Sequence, residues 1–160
     1  LSAAVNVVTT AGEAGRCGIT ATAVCSVTDT PPSVMVCINA NSAMNPVFQG
    51  NGKLCINVLN HEQEIMARHF AGMTGVTMEE RFALSGWQHG ALGQPVLKGS
   101  LASLEGEISQ VQTIGTHLVY PPGDDGHGSR GVMASPAPPR LGRSVNQQSR
   151  RPQSPVITIT

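Results

Sequence analysis

The chain has 160 residues, room for one ordinary domain that can bury a core of its own. Apolar residues make up 40% and charged residues only 12%, which excludes a disordered chain or a long coiled coil. The formal net charge of zero gives no electrostatic reason to expect nucleic acid or an anionic membrane as a partner.

In chain order, Ala4–Thr10 is rich in valine and threonine and reads as a strand. From Cys17 to Thr28 the sequence alternates. Cys17, Ile19, Ala21, Ala23, Cys25 and Val27 fall on one side; Gly18, Thr20, Thr22, Val24, Ser26 and Thr28 fall on the other. Period two predicts one strand with a core face and a hydroxyl-rich face. Asp29-Thr30-Pro31-Pro32 ends it in a turn. Ser33–Ala40 and Leu54–Leu59 are apolar at nearly every position, as in strands covered on both faces. Between them a short helix is expected over Ser42–Gln49, with Pro46 near its first turn and Gly50 stopping it. Asn60 and Gln63 have the spacing of a capping box. Ile65, Met66, His69 and Phe70 then fall on one helical face, and Gly72 suits the C-terminal end. A third helix is expected over Met78–Leu84, and strands over Leu101–Val111 and Thr116–Tyr120. Six or so strands with short helices in the connections predict a mainly β fold, a small barrel with peripheral helices.

The chain changes character at Tyr120. Residues 1–120 carry five basic residues against eight acids, a net −3; residues 121–160 carry five arginines against Asp124 and Asp125, a net +3. Seven of the 11 prolines lie in this tail, with no aromatic residue. Each proline removes a backbone donor and restricts its predecessor. The tail is therefore expected to be irregular, apart from the short apolar stretch Val156–Thr160, which can pair as an edge strand.

Cys17, Cys25, Cys37 and Cys55 form no CxxC pair and sit in apolar or alternating runs, which predicts buried, reduced thiols and a cytoplasmic protein. No apolar run approaches the roughly 20 residues of a membrane helix. The chain starts at Leu1 without a charged, then apolar, leader, so no signal peptide is expected.

GxGxxG, Walker, HExxH and GxSxG motifs are absent. Any dinucleotide must then bind outside a Rossmann fold. The hydroxyl-bearing side of the second strand has the small side chains that let a flat ring lie near the backbone; it equally suits a threonine-rich strand facing solvent. Asn39, Asn41, Ser42 and Asn45 form a second polar cluster. A helix capped by Ser42 would favour a phosphate, and a plain capped loop fits as well. His61 and His69 are eight residues apart with no third ligand nearby, so no metal is expected.

Four segments together carry a resemblance: AVNVVTT at 4–10, GITATAVCSVTDTPPSVMVCIN at 18–39, NSAMNPVFQGNGKLCINVLNHEQEIMARHFAG at 41–72, and GTHLV at 115–119. They resemble the short-chain flavin reductases over residues 1–120. The resemblance implies a split β-barrel without a Rossmann domain, which works as a homodimer. It also implies hydride transfer from NADH to FAD or FMN, with the reduced flavin passing to the separate oxygenase of a two-component monooxygenase. Residue by residue it implies that Thr20, Ala21, Thr22, Ala23 and Ser26 line the flavin and that Asn39, Asn41 and Ser42 lie at its phosphate end. Asn57 to Asn60 would flank it, and His117, after Gly115, would lie near the nicotinamide. It implies no general base. Beyond Tyr120 the family's glycine turn and aromatic closing strand have no counterpart, so the alternative is a flavin-binding barrel without turnover.

Overall fold

The computed structural model describes residues 3–113 and 155–159. Nine strands and three short helices follow one another: β1 (Asn6–Gly12), β2 (Gly15–Ala21), β3 (Val24–Asp29), β4 (Pro32–Cys37), α1 (Asn45–Asn51), β5 (Lys53–Val58), a 3-10 turn (His61–Gln63) leading into α2 (Glu64–Phe70), α3 (Met78–Ala83), β6 (Trp87–His89), β7 (Pro95–Leu97), β8 (Ala102–Thr113) and β9 (Pro155–Ile159). Seven strands form one sheet in the order β2-β1-β5-β8-β9-β4-β3, with every neighbour antiparallel; β6 and β7 pair separately.

The sheet is split into two halves, and β8 belongs to both. Its first part pairs with β5 from Ala102↔Val58 to Glu107↔Lys53, and its second part pairs with β9 from Ile108 onward. The register shifts between Ile108 and Gln110, where a bulge lets the strand turn from one half to the other. On the opposite side the chain itself crosses, through Thr22–Ala23 between β2 and β3. This is the expected split barrel with peripheral helices.

Two apolar clusters hold the halves. Inside the barrel, Val8, Cys17, Ala21, Leu54 and Ile56 from one half meet Val36 and Ile38 from the other, with Phe48 of α1 packed among them. Outside, Val7, Leu59, Phe70, Phe82 and Leu97 pack beneath α2, α3 and the small hairpin, with the Phe70, Phe82 and Trp87 rings 5.0–5.5 Å apart. β1 and β5 are thus covered on both faces, which explains why Val7 and Val8, adjacent in sequence, are both fully buried.

Several expectations are corrected. Cys17–Thr28 is two strands, because the chain changes sheets at Thr22–Ala23. The alternation changes phase there: Ile19 and Val24 both pack on the core, while Cys25 and Val27 are exposed. β4 is covered mainly on one face; Val34 and Val36 pack inward and Met35 and Cys37 are half-exposed. α1 begins at Asn45, not Ser42, runs through Gly50 and ends at Gly52, whose φ of 68° suits glycine. Ile65 is exposed, off the buried face of α2. The expected capping box at Asn60–Gln63 holds, and the structure adds a second, unexpected one at Thr77–Glu80 before α3. The stretch near the C-terminus forms β9 between β4 and β8, an interior strand and not an edge. The expected strand Thr116–Tyr120 lies outside the described residues.

Candidate functional site

Strand registers place two of the polar segments at one corner. β3 and β4 pair with Val24 opposite Val36, and the Cys37 amide donates to the Ala23 carbonyl at 3.0 Å. The segment that follows Cys37 therefore leaves the sheet beside Thr22–Ala23, and Asn39, Asn41 and Ser42 lie in the turn that starts from this point. Thr22, Ala23, Ser26, Asn39 and Asn41 are exposed and Ser42 is half-buried. β3 ends the sheet order, so alternate backbone groups along it face away from β4. Among the described residues the corner combines short side chains, hydroxyls, amides and a strand edge without a pairing partner, and its ionisable side chains are the half-buried thiol of Cys37 and the exposed thiol of Cys25.

The remaining expected residues sit around this corner in different roles. Ala21 ends β2 and is buried; its carbonyl accepts from Asn6 Nδ2 at 3.2 Å. Thr20 points to the opposite side of β2, where its hydroxyl donates to the Ala67 carbonyl of α2 at 2.6 Å. Asn57 is fully buried in β5. Its Nδ2 donates to Val7 O at 3.1 Å, and its Oδ1 accepts from Leu97 N at 2.9 Å and Ser103 Oγ at 3.0 Å. Asn60 caps the 3-10 turn through Glu62 N and reaches Gly99 O, tying the end of β5 to the start of β8. Because Ala21, Asn6, Val58 and Ala102 are linked in register across β2, β1, β5 and β8, Asn60 lies at the same end of the barrel as the Thr22–Ala23 crossover. His117 lies outside the described residues.

Ser42 does not cap α1. Its Oγ accepts from Met44 N in a local turn, and Met44 itself occupies the cap position without a side-chain bond. The seven-residue helix gives no phosphate site at its start. The residue that ties this turn to the helix is Asn45, whose role sequence reasoning missed, although its Asn-Pro step signals a turn before a helix.

A separate cavity of about 390 Å³ lies at the opposite end of the barrel, lined by Ala11, Gly12, Glu13, Gly50, Asn51, Lys53, Leu92, Gly93 and Gln94. Part of its wall is tied by hydrogen bonds. Gln94 brackets Ala11 through both N–H and carbonyl, and Glu105 accepts from the amides of Leu92 and Gln94.

The four thiols differ from the uniform expectation. Cys17 and Cys55 are buried, and burial pushes both up to about 12. For Cys55 the Glu105 charge adds to this, against a backbone hydrogen bond from Leu104. Cys37 is half-buried and raised by burial and then by nearby Cys25, while Cys25 is exposed because the strand phase changes before it. Among the described residues no group of three or more His, Cys, Asp or Glu side chains could hold a metal ion, and no helix is long and apolar enough to cross a membrane.

The flavin reductase-like domain matches residues 1–120. The chain belongs to that family. It is 85% identical over 120 residues to the reductase component of 4-hydroxyphenylacetate 3-monooxygenase from Escherichia coli, covering 75% of this chain and 71% of that one. It is 50% identical over 119 residues to the FMN reductase (NADH) RutF of Cronobacter sakazakii, covering 74% and 70%. Among solved structures, BorF, the flavin reductase component of a bacterial two-component tryptophan halogenase, superimposes with a TM-score of 0.68 at 21% identity, covering 98% of this chain and 75% of that one. The expected split barrel and flavin reductase class both hold at the level of this family.

Proposed function

We propose that this flavin reductase-like protein transfers a hydride from NADH to free FAD or FMN and releases the reduced flavin to the oxygenase of a two-component aromatic monooxygenase, with 4-hydroxyphenylacetate as that system's substrate. The observation that supports the site is the Cys37–Ala23 hydrogen bond, which starts the Asn39–Ser42 turn from the strand end beside the Thr22–Ala23 crossover. The name of its 85%-identical relative supports the partner, and that of RutF supports NADH.

The residues fit a flavin. Thr22, Ala23 and Ser26 leave room for a flat ring to lie against backbone, and the edge of β3, without a strand partner among the described residues, offers amides and carbonyls to the polar rim of that ring. Asn39, Asn41 and Ser42 supply uncharged donors for the ribityl and phosphate end. Thr20 holds β2 beneath α2 and Ala21 packs β2 against the barrel core, Asn57 and Asn60 brace the flank, and His117 orients the nicotinamide. The flavin ring supplies the hydride-accepting chemistry when bound. The chain's own contribution is orientation and hydrogen-bond donation to the charge that develops on reduction. No acid–base residue is assigned. The protein works as a cytoplasmic homodimer.

The test is NADH oxidation at 340 nm on the purified chain, with and without added FAD or FMN, beside a flavin titration followed by fluorescence. Oxidation that depends on flavin supports the proposal. Flavin binding by a folded chain without NADH oxidation would replace it with the non-turnover barrel.

A further inference from the structure

Asn45 stands where the polar turn meets the barrel. It is 6% exposed and occupies the first position of α1. Its Nδ2 donates twice, to Asn39 O at 2.8 Å and to Ala40 O at 3.2 Å. Three residues further along the same helix, Phe48 is fully buried in the barrel core. One side chain thus connects the turn to an element fixed by core packing.

Among the described residues, the other bonds of the turn are short-range. Asn41 N donates to Asn39 Oδ1 and Ser42 N to Asn39 O, while Asn45 N donates to Ser42 O. These close the turn on itself, while the pairing of β3 with β4 and the buried Ile38 fix where it starts. The Asn45 carboxamide ties the body of the turn to α1. Its Oδ1, moreover, is buried without a hydrogen-bond partner among the described residues. An orphaned buried acceptor is costly, so close packing alone does not account for an amide here. What the amide adds over an apolar side chain of the same size is its pair of donated bonds to the turn.

We infer that Asn45 is a positioning residue that sets flavin affinity by holding the Asn39–Ser42 turn at the phosphate end of the corner, without touching the reacting atoms. This deepens the flavin reading of the corner and rests on it. Losing the two bonds lets the turn drift from the crossover, so flavin binds more weakly. Hydride transfer within the loaded enzyme, set at Thr22–Ser26, keeps its rate.

The experiment is steady-state NADH oxidation on the full chain with FAD and with FMN, for Asn45→Ala and the near-isosteric Asn45→Asp. The expected result is a flavin KM raised about tenfold in both variants, with kcat at saturating flavin within about twofold of the parent. Asn45→Asp keeps the shape but not the donors, so it carries the test by itself if Asn45→Ala does not fold. The control is Asn51→Ala, at the other end of α1. It loses bonds with Ala14 N, Gly15 O and Thr10 Oγ1. That control should lower thermal stability and leave the flavin KM unchanged. A flavin KM within about twofold of the parent in the Asn45 variants overturns the inference, and so does an equal rise in Asn51→Ala. Ser26→Ala and Ser42→Ala separate the two levels. If they raise the flavin KM while Asn45→Asp does not, only the positioning role fails; if they too leave it unchanged, the flavin reading of the corner fails first.

Discussion

Replacing Asn57 with alanine tests whether this residue acts as framework or as a direct flavin contact. The side chain is fully buried and six groups surround its amide. Most of them survive its loss. Thr9 Oγ1 keeps its 2.6 Å bond to Pro95 O, so neither is stranded. Val7 lies between β2 and β5, so its carbonyl stays in the ladder. Ser103 is exposed and can turn to water. The group left without a partner is the Leu97 amide, in a residue 4% exposed, which donates only to Asn57 Oδ1 at 2.9 Å among the bonds described. One stranded buried donor costs about 1–3 kcal/mol, and the space left by the carboxamide adds about another 1 kcal/mol. Asn57→Ala should therefore lose about 2–4 kcal/mol in a urea unfolding curve at unchanged slope, with flavin affinity of the folded protein within about twofold. A loss under about 1 kcal/mol together with a tenfold drop in flavin affinity would refute the reasoning and make Asn57 a direct flavin contact.

Three other outcomes follow from particular contacts. An alanine at Gly18 would put its Cβ 2.8 Å from a Phe70 ring carbon and 3.2 Å from the Thr9 methyl, so Gly18→Ala should cost about 1–3 kcal/mol, read as a lower thermal midpoint. Cys25 should react first with a thiol reagent and Cys37 later, with Cys17 and Cys55 reacting only on unfolding; an equal rate for all four would contradict the burial pattern. The folded pKa values of Cys17 and Cys55 are raised from 9.0 to about 12, so the unfolded chain loses these protons first. Stability from these thiols is intact below pH 9 and is lost as pH rises toward 12, and Cys17→Ala should flatten that decline in a denaturation series.

Local signals were enough for much of the fold, and they failed where distant segments decide. The Asn60–Gln63 capping box rests on side chains three residues apart and was readable directly; the Thr77–Glu80 box has the same spacing and was missed. Leu54–Leu59 could be recognised as covered on both faces because every position is apolar or, at Asn57, polar and buried. The position of α1 was not readable: Ser42 has the chemistry of a cap, but its hydroxyl is used within the turn, and Pro46 fits the second helical position once Asn45 is first. β9 is a stronger case. Five residues after a proline-rich stretch carry no periodicity long enough to count, and their pairing with β4 and β8 is fixed by two edges that lie far away in sequence. Ending the chain at residue 154 should leave both edges open, which predicts aggregation in light scattering and loss of a cooperative thermal transition; an unchanged transition would mean that β9 contributes nothing to closure.

The candidate site was legible as a set of residues but not as a shape, and one physical cause accounts for both. Apart from Val24, Thr20 to Ser26 are all small, so nothing in the sequence marks the bend at Thr22–Ala23: no glycine, no proline, and an alternation that reads straight through. The same smallness lets the chain cross there from one half-sheet to the other with its backbone exposed. A bulky residue would have signalled the break and filled the corner. Thr20, committed to Ala67 O, and Ser26, on the terminal strand of the sheet among the described residues, show the division this produces: one end of the stripe locks the barrel to its outer helix, and the other is exposed. Period-two reasoning assigned both to one face because it assumes one strand. The turn from Asn39 to Ser42 meets the crossover only through the pairing of β3 with β4, so the second half of the site is a property of register, and Asn45 is the residue through which core packing reaches it.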